Sequence, residues 1–123
     1  MPDRKFRILG RSNVAARAGY VTLYPQDVGN VLTKCNIEYY SYQIIVERNS
    51  KDRFVFKIAV PKVEDDYTEK FLEMLYIERS ILKDALDDDV MDIPEIIWCN
   101  PSDLEYNERT GKLKVIIDKR LKR

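Results

Sequence analysis

No histidine occurs among the 123 residues, which removes the commonest general base near neutral pH and the commonest metal ligand. Cysteine is scarce, with Cys35 and Cys99 alone and far apart. A zinc site needs about four ligands, usually including a close cysteine pair, so no metal centre is expected. A disulfide is open on spacing, but two reduced thiols in a cytoplasmic chain are the plainer expectation. Net charge is missing too: 21 basic residues balance 21 acidic ones, leaving no global field toward nucleic acid or anionic lipid. No apolar run approaches the roughly 20 residues that span a bilayer, and no signal-type apolar segment opens the chain. Repeats and low-complexity tracts are absent, and five prolines with four glycines are the only punctuation.

What is there fits one globular domain. Hydrophobic residues make up 45% and charged residues 34% of the chain, an ordinary soluble balance for a single core of this length. Residues 5–9 and 20–24 read as short strands flanking a polar loop from Gly10 to Gly19. Pro25 opens a helix to about Cys35, with Asp27 at its positive end and Val28, Val31 and Leu32 as its apolar face. Tyr40–Glu47 and Phe54–Val60 are β-branched and aromatic runs joined by a polar turn, Arg48 to Arg53, and predict a hairpin. Thr68 then caps a predicted helix from about Glu69 to Leu86, with Phe71, Met74, Leu75, Ile81, Leu82 and Ala85 as its stripe.

Glu78 falls inside that stripe and is expected at its edge or paired with an arginine. Asp87, Asp88 and Asp89 would oppose the dipole at a helix C-terminus, so the helix should stop by Leu86 and leave them in solvent. Glu95 to Cys99 reads as a short buried strand, residues 100–110 as a loop, and Leu113 to Ile117 as the last strand. The expected class is α+β: a small mixed β-sheet with two main helices packed on it, preceded by a short β-hairpin. The tail Lys119-Arg120-Leu121-Lys122-Arg123 has no aromatic platform beside it, so a solvated end is expected rather than nucleic-acid binding.

Two short motifs carry what chemistry is visible. Thr110-Gly111-Lys112 sets a lysine directly after a glycine, before the aliphatic run Val115-Ile116-Ile117-Asp118. This is either a turn glycine with an exposed lysine, or a place where backbone approaches a ligand and the ammonium meets an anion. Gly10-Arg11-Ser12-Asn13 is either a plain loop or a hinge. Read together with Val21-Thr22-Leu23-Tyr24-Pro25 between them, the order from about Phe6 to Arg120 resembles the C-terminal lid domain of adenylate-forming enzymes. The likeness is to the phenylacetate–CoA ligase branch.

That resemblance implies a single lid domain over residues 1–123, with a hinge segment at about 10–14 and a core at 20–120. It implies that Lys112 matches the adenylation lysine, that Asn13 is the hinge with Arg11 beside it, and that Gly10, Gly19 and Gly111 lie in ligand-proximal loops. The loop from Val14 to Tyr20 would then face the thiol of CoA. ATP, Mg²⁺ and CoA are implied only through a large N-terminal domain or subunit, the implied partner, and none is expected on this chain alone. By itself the chain should be inactive, and homo-oligomers are compatible with it. The hinge has Asn13 and Val14 where the family favours charged residues, and Gly19-Tyr20 stands in place of an Arg-Gly pair. Those departures leave open a degenerate, non-catalytic lid acting as a protein-binding or regulatory module.

Overall fold

A tight hairpin leads into the body of the fold in the computed structural model, which describes residues 15–121. Its strands are β1 (Ala16–Ala18) and β2 (Val21–Leu23), antiparallel with Ala18 opposite Val21. Ala16, Ala18, Val21 and Leu23 all face inward and are buried. The loop expected from Gly10 to Gly19 is therefore strand in its second half, while residues 5–9 lie outside the described residues. Gly19 makes the difference. Its φ of +56° is one that residues with a Cβ seldom adopt, and it folds Ala18 back onto Val21.

Helix α1 (Pro25–Lys34) follows as expected, burying Val28, Val31 and Leu32. The Tyr24 N–H donates to the Asp27 carboxylate at 2.9 Å, which stitches the entry to the first turn. Strands β3 (Ser41–Arg48) and β4 (Asp52–Ala59) form the long hairpin, in register from Ser41↔Ala59 to Arg48↔Asp52. Its turn is shorter than the sequence suggests, only Asn49 to Lys51. Strand β5 (Glu95–Cys99) pairs parallel to β4, and β6 (Ile116–Asp118) pairs parallel to β3, giving the order β5-β4-β3-β6. The result is the mixed α+β sheet expected, with helices packed on it.

The sheet face carrying Ile44, Val46, Phe54, Phe56 and Ile58 meets Val28, Leu32, Phe71, Leu75, Leu82 and Ala85 in one core. Phe71 is its keystone, edge-on to Phe56 at 5.5 Å and to Trp98 at 6.3 Å between ring centres. Each such side chain taken fully from water contributes about 1.5–3 kcal/mol.

Three expectations are corrected here. The long helix is two helices, α2 (Tyr67–Glu78) and α3 (Ser80–Asp87), broken at Arg79 with φ −130° and ψ 78°. Arg79 spends its guanidinium on the Thr22 carbonyl at 3.0 Å, tying the junction to β2. Beside it Glu78 closes α2 and bonds Lys34 on α1 at 2.6 Å, so its place in the stripe is an edge with a lysine partner. Thr68 caps nothing; its hydroxyl accepts the Trp98 indole N–H at 2.8 Å. The second correction is that β5 is half-buried rather than buried, because it is a sheet edge among the described residues.

Third, the last strand begins at Ile116, and Leu113 belongs to the preceding loop, bridged to Tyr106. The aspartate triplet is exposed, as expected, but the helix runs one residue further and each aspartate has a partner. Lys83 bonds Asp87, the Tyr20 hydroxyl donates to Asp88 at 2.6 Å, and Lys51 pairs with Asp89. Among the described residues no helix is long and apolar enough to cross a membrane.

Candidate functional site

The segment that presents Lys112 is a self-braced loop from Glu105 to Lys114. Its tip is an Asx turn: the Asn107 side-chain oxygen accepts the N–H groups of Arg109 at 2.9 Å and Thr110 at 3.2 Å. The Asn107 N–H donates to the Lys112 carbonyl, and the Gly111 N–H to the Asn107 carbonyl, each at 2.7 Å. Gly111 closes the turn at φ +72°, with nothing within 4 Å of where a Cβ would stand. Here glycine answers a backbone requirement rather than a crowded one. Lys112 follows, exposed to solvent, and no ion pair among the described residues involves it.

The foot of the loop is fixed from within the sheet. Gln43, on β3, is completely buried. Its side-chain nitrogen donates to the carbonyls of Glu105 and Lys114, both at 2.7 Å, while its oxygen accepts the Glu105 N–H at 3.2 Å. Opposite it on β4, Lys57 donates to the Asp103 carbonyl at 2.7 Å. An open groove beside the loop is lined by Glu105, Tyr106, Asn107, Glu108, Arg109 and Lys114.

A second polar centre lies at the other end of the same hairpin. Asp52 is buried and accepts from the Gly19 N–H at 2.9 Å, Arg48 at 2.9 Å and Arg120 at 2.6 Å. Burial pushes its carboxyl upward, but the Gly19 N–H and the two arginines outweigh that and hold it below the usual carboxylate range. Arg120 also clasps Asp118 at 2.8 Å and donates to the Arg17 carbonyl at 2.7 Å. Gly19 is wedged here, its missing Cβ 2.9 Å from a Val90 methyl and 3.1 Å from Met91.

Of the residues singled out from sequence, Lys112 and Gly111 stand together on the braced loop, and Gly19 is apart from them. The anchors, Gln43 and Arg48↔Asp52, are five residues apart along β3, about 16 Å at the rise of a strand. Gly10, Arg11 and Asn13 lie outside the described residues. Arg120, expected in a solvated tail, is instead a structural clamp, because two carboxylates and a carbonyl converge on it. Gln43 and Asp52 were not foreseen. A lone amide within Tyr42-Gln43-Ile44-Ile45-Val46 is the kind of signal that marks a buried polar group with dedicated partners. Asp52 offers none, since aspartate in a polar turn is unremarkable.

Among the described residues no group of three or more His, Cys, Asp or Glu side chains is placed to hold a metal ion. Cys35 and Cys99 are both free thiols, and burial raises each above the ordinary thiol value. What this arrangement offers chemically is the solvent-facing ammonium of Lys112 on a hydrogen-bonded loop that also carries the exposed Lys114.

Comparison with known proteins places the chain as a whole rather than any one residue. No curated protein matches the chain. A solved structure, a domain of phenylacetate-coenzyme A ligase from Bacteroides vulgatus ATCC 8482, is 19% identical, covering 90% of this chain and 97% of that one, with a TM-score of 0.49. The AMP-binding enzyme C-terminal domain family matches residues 20–120, and the chain belongs to that family.

Proposed function

We propose that this chain is the lid of an ATP-dependent acyl–CoA ligase of the phenylacetate–CoA ligase type, working in the cytoplasm against a large N-terminal ligase domain. Family membership supports the first half of this reading. The observation that carries the rest is Lys112 itself: an exposed lysine on a loop braced by Asn107 and footed on a buried glutamine.

Carboxylate adenylation brings two anions together, the acid and the α-phosphate of ATP. A compact ammonium between them offsets their repulsion and stabilises the charge that builds in the transition state. Such a group has to be unpaired beforehand, so that its charge is available, and held by a stiff support, so that little freedom is lost on engagement. Among the described residues Lys112 has no ion-pair partner, and its loop is hydrogen-bonded at tip and foot, which supports this role. ATP and CoA would be substrates bound largely by the large domain. Mg²⁺, if used, would be held there too, since the described residues offer it no ligand cluster. In the second half-reaction the hinge around Asn13 would turn the β1–β2 side toward the CoA thiol.

Reconstitution tests this. The chain is added to the large domain with ATP and phenylacetate as the probe acid, and pyrophosphate release is followed. Wild type should accelerate release, and Lys112→Ala should lower it by about 10²–10³, the scale for removing one preorganised charge-stabilising group. Equal rates for the two proteins would remove Lys112 from the chemistry. No acceleration by wild type would favour a degenerate lid kept as a binding module.

A further inference from the structure

Only two polar side chains are buried among the described residues, Gln43 and Asp52, and they occupy opposite ends of the β3–β4 hairpin. A polar group taken out of water must find partners, and where it finds them says what it holds. Gln43 spends all three of its observed bonds on backbone at the two feet of the Lys112 loop. Asp52 takes the Gly19 N–H of the β1–β2 turn and the guanidinium of Arg120, which in turn holds the Arg17 carbonyl on β1. The two sets share no partner, and anchors about 16 Å apart along a strand act independently when they share none.

We propose that Gln43 and Asp52 are separate positioning residues, Gln43 for the Lys112 loop and Asp52 for the β1–β2 turn. One rigid hairpin thereby holds the two working faces of the lid independently. The proposal rests on the lid reading above. Its physical sense is that the faces are used in turn, so each must stay ordered while the other is engaged.

Amide hydrogen exchange on the whole chain tests it. Gln43→Leu keeps the bulk and deletes the bonds, so exchange at Asn107, Gly111 and Lys114 should rise about tenfold, the equivalent of one or two net hydrogen bonds. The Gly19 amide should stay within about twofold of wild type. Asp52→Asn should give the reverse pattern. If either variant fails to fold, Gln43→Asn and Arg120→Met are the milder substitutions at the same anchors. A uniform rise over the whole chain, or none at either loop, would overturn the proposal.

A functional arm uses the large domain with ATP and phenylacetate, then CoA. Gln43→Leu should slow pyrophosphate release more than thioester formation from preformed acyl-adenylate, and Asp52→Asn should do the opposite. Equal losses in both steps would count against separate anchoring. Should wild type fail to accelerate pyrophosphate release, the lid reading falls, while the exchange pattern still judges the two anchors.

Discussion

Arg120 sets a guanidinium nitrogen 2.6 Å from the carboxylate of Asp52, 68 residues earlier in the chain, and so fastens the last strand to the β3–β4 turn. Asp118 completes the cluster; its carboxyl is held below the usual range by hydrogen bonding to Arg120, with burial opposing. Carboxyls whose folded pKa is depressed stabilise the fold above their unfolded value and lose that contribution as falling pH protonates them. Stability should therefore drop as the pH is lowered from about 5 to about 3. Urea midpoints across that range test it: Asp52→Asn should start lower and fall less steeply, and a variant slope equal to wild type would contradict the assignment.

Gly19 and Gly111 both need positive φ, yet their surroundings differ. Gly111→Ala meets open space and should cost about 1–2 kcal/mol of backbone strain alone. Gly19→Ala adds a clash with Val90 and Met91, of the kind that costs about 1–3 kcal/mol more in packed sites. Thermal midpoints should rank wild type above Gly111→Ala above Gly19→Ala. The reverse order of the two variants would mean that the β1–β2 turn is not seated as described.

Sheet and helix order were legible from residue pattern because they depend on burial periodicity, which is local. Phe54, Phe56 and Ile58 announce their shared face, and Pro25 with Asp27 announces α1. What escaped depends on distant partners. Nothing near Arg79 in sequence states that Thr22 will draw its guanidinium and break the helix, and nothing near Leu113 says that Gln43 will claim the flanking carbonyls and delay the strand to Ile116. The exposed Lys112 was legible because glycine and lysine at a strand approach are conspicuous together. Its footing was not, since that is a contact across 62 and 71 residues.

The helix break sorts two neighbours that periodicity put on one stripe. Leu82 is completely buried, whereas Ile81 is 37% exposed. Leu82→Ala should cost about 2–5 kcal/mol, the range for emptying a core site. Ile81→Ala should cost less, about 1–2 kcal/mol, since over a third of the residue is already in water and no closed cavity is left. Denaturant titration of the two variants separates these figures, and equal losses would argue for the unbroken helix.

Trp98 is the only tryptophan, so its fluorescence reports one place: the seam where edge strand β5 meets the start of α2. The indole N–H donates to Thr68, and the ring packs on Tyr67 at 5.5 Å and Phe71 at 6.3 Å. Thr68→Val keeps the shape but strands the half-buried donor, which should cost about 1–3 kcal/mol. Trp98→Phe removes donor and ring area together, leaving Thr68 able to turn its hydroxyl to water, so the polar part of its loss should be smaller. Urea unfolding followed by circular dichroism compares both variants, and fluorescence adds a second probe for Thr68→Val. Because the seam joins β5 to the core, the two probes should give one transition for Thr68→Val. A fluorescence change that precedes the loss of helix signal would mean that β5 frays from the sheet edge on its own.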